Sequence, residues 1–230
     1  MNWINPSLMI GGCRRLRQRE MRRSYNEIEM ALVKAGRGVG QSLGVAEDMA
    51  RAGIWLCRIG CDGVSMVLDC LTGAGQHEGR LEFDGQSIDL SSAHPMHAAL
   101  TCIDLAISEP GSVVQLPSGL PMPGILIGLA GHAAAQHGRR FSVSVDPCDP
   151  IFIYSGGVSA LPLDLPANAT LTVVSVEDDG TDPAFRLSSE RLNVPDALWA
   201  QVDALAARTY VPASEQSRAS GAGAGLTDND

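Results

Sequence analysis

The sequence is poor in aromatic residues, which make up 4% of its 230 positions although 45% are hydrophobic. Its core must therefore be built mainly from Ala, Val, Leu, Ile and Met, a composition that suits helices packed closely on one another or on a sheet. A chain of this length can bury one substantial core. The shortage of aromatic side chains thus favours a single mixed domain of helices and strands.

Long apolar runs are also missing, and no stretch reaches the roughly 18 apolar residues that a membrane-spanning helix requires. A secretory signal is not recognisable, because the short N-terminal apolar run precedes the arginines instead of following them. The six cysteines lack the spacing of a secreted disulfide framework. We therefore expect a cytoplasmic protein with no membrane partner and with reduced, mostly buried thiols.

Basic residues are scarce outside the first 23 positions, which hold six Arg and one acid, Glu20, in a chain of net charge -9. The remainder is therefore strongly acidic and would repel a phosphate backbone, so we expect no nucleic-acid partner for the folded domain. The N-terminal segment is either a basic arm for nucleic acid or membrane, or an upstream extension before a start at Met21. We favour the second interpretation and expect residues 1–20 to be non-native or disordered.

Metal and nucleophile motifs are absent as well. Cys57 and Cys61 have no partner half-site of the zinc type, and His94 and His97, three residues apart, are the best remaining ligand pair. We assign all four to capping and core roles and predict no metal. The segment from Ser155 to residue 157 does not form the G-x-S-x-G turn of a nucleophilic serine.

Helix signals recur along the chain. Ser24 and Glu27 form an S-x-x-E capping box, which predicts a helix from about Tyr25 that stops at Gly36 or Gly38. Further helices are predicted over about 44–57, 64–71, 95–109, 123–138 and 196–208. In the buried helix that begins near residue 123, glycines at positions 124, 128 and 131 share one side, a spacing that permits close approach of a neighbouring element.

Strand signals follow in the second half of the chain. Phe141, Val143 and Val145 alternate with serines, and residues 151–154 and 171–176 are also predicted strands. Asp84-Gly85 predicts a hairpin turn. Together these elements indicate an α/β or α+β fold, a single mixed domain over residues 21–211 with N-terminal helices packed on a sheet.

The segment KAGRGVGQSLGVAED, residues 34–48, contains four glycines between two predicted helices. Their spacing does not match G-x-G-x-x-G, and no Lys-Ser/Thr pair follows, so neither a dinucleotide loop nor a Walker loop is predicted. Two interpretations stay open. The loop is either a helix connector that needs glycine for positive φ angles, or an anion site in which Lys34, Arg37 and Gln41 bind substrate.

Two further features complete this candidate site. Glu47 and Asp48, placed in the first turn of the second helix, are the candidate catalytic residues that would act on a substrate proton. The glycine-rich tail, residues 212–230, is either disordered or a lid whose Arg218 binds the same anion.

The opening SYNEIEMALVKAGRGVGQSLGVAEDMARAGIWL and the closing SRASGAGAGLTDND resemble an uncharacterised bacterial domain family of unknown function. The resemblance extends from Met21 to Asp230 and implies that both glycine-rich ends belong to the family pattern. It implies no particular reaction.

GVAEDMARAGIWLCRIGCDGVSMVL is also similar to part of the malate/lactate dehydrogenases that do not use a Rossmann fold. Ser65 and Met66 stand where that family carries a polar sequence with a catalytic histidine. This resemblance implies a distantly related reductase.

These features lead to one function hypothesis and its alternatives. We expect a protein of small-molecule metabolism that binds a small anionic substrate between the first glycine-rich loop and the tail, and that is an enzyme if the two acids move a proton. The alternatives are a non-catalytic partner subunit of a metabolic enzyme and the reductase. The sequence leaves the cofactor and the substrate unknown, and a homo-oligomer remains open.

Overall fold

The computed structural model describes residues 20–73, 82–83, 88–89, 95–111, 113–116, 123–145, 149–161 and 171–210. Of the predicted N-terminal extension it describes Glu20 alone. The predicted tail, with Arg218, lies outside the described residues, as do His94 and the Asp84-Gly85 turn.

Six α-helices account for most of the described residues. They are α1 (Tyr25–Gly38), α2 (Leu43–Arg58), α3 (Gly63–Gly73), α4 (Pro95–Ser108), α5 (Pro123–His137) and α6 (Asp196–Ala206), which a short 3-10 helix (Ala207–Thr209) continues. Each matches a predicted helix within a few residues. Within the described part of the chain, no helix is long and apolar enough to cross a membrane.

The predicted capping box at the start of α1 is confirmed. The Glu27 amide donates to Ser24 Oγ at 3.2 Å, and the Ser24 amide donates back to Glu27 Oε2 at 2.7 Å. The Ser24 amide, and then the Ser24 hydroxyl, which also donates to Glu27 Oε2 at 2.7 Å, hold the pKa of the Glu27 carboxyl below its usual value. Two early amide groups of the helix are thereby satisfied.

The start of α2 corrects one prediction. Ser42 caps the helix, since the Val45 amide donates to Ser42 Oγ at 3.4 Å, and the first helical residue is Leu43. Glu47 and Asp48 therefore lie in the second turn, and their placement in the first turn is wrong. The capping serine, rather than the two acids, sets where this helix begins.

The main sheet is antiparallel throughout. Its strands are β4 (Val113–Leu116), β5 (Arg139–Val145), β6 (Ile151–Tyr154), β7 (Gly157–Val158), β8 (Leu171–Glu177) and β9 (Phe185–Arg186), in the order β4-β8-β5-β6-β7-β9. The three longest predicted strands are confirmed as β5, β6 and β8. The strands β4, β7 and β9 were not predicted.

Two small antiparallel pairs complete the strand set. β2 (Glu82–Phe83) pairs with β3 (Ile88–Asp89), which confirms the strand pairing of the predicted hairpin. β1 (Glu20–Arg23) pairs with β10 (Leu192–Pro195), so that Met21 lies inside a strand opposite Val194. We call the β1–β10 pair the ribbon.

Helices cover one face of the main sheet. Helices α4 and α5 contact its strands, while α1 and α2 pack against each other and α2 packs on α5. Phe141, Val143 and Ile153 point into this helical layer and are buried, whereas Phe152 on the other face is exposed. The mixed fold is therefore confirmed, and α4 and α5 form the layer that touches the sheet.

The glycine side of α5 makes the predicted close contact. At Gly128 an added Cβ would lie 2.6 Å from the Ala52 carbonyl oxygen, and at Gly131 it would penetrate the Trp55 ring. The two helices α2 and α5 can approach this closely because the glycines have no side chain. Small residues thus replace the missing aromatics as the means of packing this core.

Candidate functional site

The glycine-rich loop between α1 and α2 is closed by its own backbone. The Val39 amide donates to the Ala35 carbonyl at 3.2 Å, and the Gln41 amide donates to the Gly36 carbonyl at 3.1 Å. Arg37 Nη1 also donates to the Gln41 carbonyl at 2.6 Å. The loop is therefore an ordered helix-to-helix turn whose last α1 carbonyls are satisfied.

Three glycines of the loop segment are required for different structural reasons. Gly40 has a φ of 91°, which favours glycine. At Gly36 an added Cβ would lie 2.9 Å from Ala46 Cβ, and at Gly38 it would overlap the Leu205 carbonyl oxygen of α6. The helix-connector interpretation is therefore supported, although the positive φ it invoked occurs at Gly40 only among the loop's four glycines.

A cavity of about 550 Å³ opens beside this loop. The loop, the end of α3 and the end of α6 with its 3-10 extension supply its walls. The lining residues are Gly38, Val39, Gln41, Leu71, Thr72, Leu205 and Arg208. We call it the loop cavity.

The polar groups of the loop cavity are unequal. Thr72 Oγ1 donates to the Leu68 carbonyl at 2.9 Å, so its hydrogen is already engaged. Arg208 forms no ion pair with a carboxylate among the residues that the structure describes. Arg208 is thus a cation at the cavity wall that no described carboxylate neutralises, with the Gln41 side chain as a second polar group.

The predicted ligand-binding residues are spread over different environments. Gln41 lines the loop cavity, while Arg37 is exposed and braces the loop through its hydrogen bond to the Gln41 carbonyl. Lys34 is exposed on α1. Arg218 lies outside the described residues, eight positions after Tyr210, where the described chain ends.

The predicted catalytic acids bind an arginine of their own helix. Arg51 Nη2 lies 3.4 Å from Glu47 Oε2, and Arg51 Nη1 lies 3.5 Å from Asp48 Oδ1. Glu29 on α1 adds a third carboxylate, 3.7 Å from Arg51 Nε. Glu47 and Asp48 are therefore part of an ion-pair group centred on Arg51 and are not among the lining residues of the loop cavity.

Two further titratable groups interact with this ion-pair group. Burial, and then the Arg51 charge, lower the pKa of the half-buried His132 imidazole, while Asp48 and Glu29 act in the opposite direction. Burial, and then Asp48, raise the pKa of the Asp104 carboxyl, which His137 offsets in part. Residues of four helices, α1, α2, α4 and α5, thus share one electrostatic environment.

We expect His132→Gln to flatten the pH dependence of stability in mild acid. The folded protein resists protonation of His132, whereas the unfolded chain takes up that proton near pH 6.5. Stability contributed by the neutral imidazole is complete above that pH and is lost as the pH falls towards the lower folded pKa. Urea unfolding of both proteins between pH 8 and 5 measures this difference.

The pH 8 point is the internal control, since the imidazole is then neutral in both states and any difference there reports packing alone. Asp104 changes the stability in the opposite direction with pH. Because the pKa of its carboxyl is raised in the folded protein, the stability that it contributes is lost as the pH rises through that pKa. An identical slope for the wild type and His132→Gln between pH 7 and 5 would contradict the assignment.

The described cysteines are expected to be unreactive. Cys57, Cys61, Cys70 and Cys102 are free and buried, as predicted, and burial raises the pKa of the Cys57 thiol to about 11 and that of Cys102 to about 12. Neutral thiols are poor nucleophiles. In the described part of the chain, no group of three or more His, Cys, Asp or Glu side chains is arranged to hold a metal ion.

Sequence reasoning missed Arg208 and Thr72. Both lie at helix ends that are far from the loop in sequence, and only the packing of α3 and α6 beside α1 brings them to the cavity. One signal was present, namely a cation at the end of a predicted helix shortly before the glycine-rich tail.

The described residues define a mixed protein in which a helical layer covers an antiparallel sheet. Residues 23–108 match the model of a family described as "Protein of unknown function (DUF3726)", which supports the predicted resemblance to an uncharacterised domain family over this part of the chain. The match includes the first glycine-rich loop and ends with α4. No curated protein and no solved structure matches the chain.

Proposed function

We propose that the protein acts in small-molecule metabolism and binds a small anionic molecule in the loop cavity. The observation that carries this proposal is the Arg208 guanidinium on the wall of a cavity of about 550 Å³, where no described carboxylate pairs with it. Such a volume lies within the range of roughly 300–1,000 Å³ typical of small-molecule sites. Leu71 and Leu205 would contact the apolar part of the ligand.

The charges around the loop cavity favour the binding of an anion. Helix ends with partial negative charge line it, each equivalent to about half an elementary charge when its carbonyls are free. Here several of those carbonyls are engaged, since Gln41 N, Thr72 Oγ1 and Thr209 Oγ1 donate to the last turns of α1, α3 and α6. The full charge of Arg208 therefore dominates.

The other predicted cations take secondary roles in this proposal. Arg37 shapes the cavity by holding the Gln41 carbonyl, and Lys34 adds positive potential outside it. Arg218 is the predicted second residue that would bind the anion, because the tail, residues 212–230, begins four positions after Arg208 in the sequence. Catalysis by Glu47 or Asp48 would require the carboxylate to leave Arg51 when substrate binds.

Binding of small anions tests the proposal. We expect calorimetry to detect succinate or inorganic phosphate, and Arg208→Gln to weaken that binding about tenfold or more, because a hydrogen bond to a charged group contributes roughly 1.5–3 kcal/mol. Arg186→Gln is the matched control, since Arg186 pairs with Asp182 on the sheet side and should retain binding.

Arg218→Gln separates the contribution of the tail from that of the cavity. Weakened binding in Arg218→Gln as well as Arg208→Gln would support a joint site, whereas loss in Arg208→Gln alone would restrict it to the described cavity. Equal affinity of Arg208→Gln and the wild type would contradict the proposal. Co-purification with an enzyme at fixed stoichiometry, without binding of either anion, would favour the partner-subunit alternative.

A further inference from the structure

A second cavity lies on a part of the molecule that the proposed function does not use. It has a volume of about 290 Å³ and lies between the ribbon, the turn that joins α2 to α3, and the start of α6. Its chemistry differs from that of the loop cavity, because its charged lining residues, Glu20 and Asp62, are both acids. We call it the ribbon cavity.

Local structure fixes the walls of the ribbon cavity. Gly60 takes a φ of 92° just after α2, and Asp62 then starts α3 by accepting the Ser65 amide at Oδ1, at 3.1 Å. On the opposite wall, the ribbon is tied to α6 because the Arg23 guanidinium lies 3.6 Å from the centre of the Trp199 ring. The cavity is thus held between ordered elements.

The inner wall is apolar. Val64 and Val194 are almost fully buried, and Leu192 and Leu198 pack against the same core. The Cys61 thiol, 6% exposed, also lines the cavity and forms no hydrogen bond among the described residues. Burial raises its pKa, so the thiol stays neutral and adds a weakly polar sulfur to the lining.

The charged groups of the ribbon cavity have no counterion in the described part of the chain. Neither Glu20 nor Asp62 forms an ion pair with a basic side chain among the residues that the structure describes. Asp62 uses Oδ1 to cap α3, which leaves its second oxygen for another donor. Two carboxylates beside an apolar wall would repel an anion and attract a cation.

A metal ion is a poor match for this cavity. Calcium takes six to eight oxygen ligands, and no three metal-binding side chains of the described residues are arranged for an ion. An organic ammonium ion satisfies both parts of the lining, because its N–H groups can donate to the carboxylates while its hydrocarbon body contacts the leucine and valine side chains.

From this arrangement we infer that the ribbon cavity binds a small primary ammonium ion with an apolar body. Glu20 and Asp62 accept hydrogen bonds from the ammonium group, and Leu192, Val194 and Leu198 contact the hydrocarbon. The volume, near the lower end of small-molecule sites at roughly 300 Å³, restricts the ligand to a compact alkyl or arylalkyl amine.

Phenethylamine and its uncharged counterpart 2-phenylethanol test the inference by calorimetry at pH 7.5, where an alkylamine with a pKa near 10 is charged. We expect the amine to bind about tenfold more tightly than the alcohol, as one charge-assisted hydrogen bond implies. Asp62→Asn and Glu20→Gln should each weaken amine binding several-fold, and the double variant about tenfold or more.

The test variants and their control are chosen so that the fold is retained. Asn caps helices about as well as Asp, so Asp62→Asn keeps the start of α3 while removing its charge. Asp182→Asn, which removes an exposed acid paired with Arg186, is the control and should bind the amine like the wild type. Equal unfolding temperatures verify that the proteins compared are folded.

Three results would overturn the inference: no binding of millimolar phenethylamine, equal binding of the alcohol, or unchanged amine affinity in the double variant. Amine binding at the ribbon cavity can be tested independently of anion binding at the loop cavity. Arg208→Gln should leave amine binding unchanged, and the Glu20 and Asp62 variants should leave succinate binding unchanged.

Discussion

Gly38→Ala is expected to lower the free energy of unfolding by ~3 kcal/mol, the upper part of the range for overpacking a core. The added Cβ would overlap the Leu205 carbonyl oxygen, which is backbone and cannot rotate away. Alanine gains about 1 kcal/mol of helix propensity over glycine, so the clash outweighs the gain. Thermal or urea unfolding measures the difference.

Gly44→Ala is the matched control for this substitution. Gly44 lies in the first turn of α2, has no positive φ, and an added Cβ would meet nothing within 4 Å. We expect Gly44→Ala to stabilise the protein by up to about 1 kcal/mol through helix propensity. If Gly38→Ala were as stable as Gly44→Ala, α1 and α6 could not lie as close as described.

Gly131→Ala should be similarly destabilising, by ~3 kcal/mol, or about 6–12 °C in Tm for a chain of this size. The new methyl group would penetrate the indole ring of Trp55, which is itself 4% exposed and enclosed between α2 and α5. The ring has no open space to enter, so the two helices must separate.

A double-mutant cycle identifies the cause of that loss. Trp55→Leu alone should destabilise by creating a cavity, but in its presence the additional cost of Gly131→Ala should largely disappear, because the methyl group then has room. Additive effects of the two substitutions would show that the methyl group meets something other than the indole ring.

The helices were predictable because their signals are local. Ser24 and Glu27 specify a cap within one turn, and the four-residue and three-residue steps of Gly124, Gly128 and Gly131 identify a helix face that accepts a close neighbour. The alternation in β5 likewise identified its buried face, where Phe141 and Val143 lie. In each case the pattern lies within one element.

Elements that depend on a distant partner were missed. The ribbon pairs Glu20–Arg23 with Leu192–Pro195. The first segment does not alternate regularly between apolar and polar residues, and the alternation in the second covers only the three residues from Leu192 to Val194. The strands β7 and β9 are two residues long and exist through pairing alone. Strands this short leave little pattern in a sequence.

The candidate site was predictable only in part for the same reason. The glycine-rich loop and Gln41 were identified from the sequence, but Arg208 reaches the loop because the end of α6 packs against the end of α1. The role of Arg37 also depends on geometry, since its hydrogen bond to the Gln41 carbonyl follows from the loop conformation. Sequence spacing could not show whether Arg37 stabilises the loop conformation or binds a ligand.

Backbone chemical shifts during a titration with succinate test the central claim most directly. Binding in the loop cavity predicts concentration-dependent shifts of the Val39, Gln41 and Arg208 amides in a nitrogen–proton correlation spectrum, and loss of those shifts in Arg208→Gln. Shifts confined to other parts of the chain, or identical shifts in Arg208→Gln, would contradict an anion site beside the first glycine-rich loop.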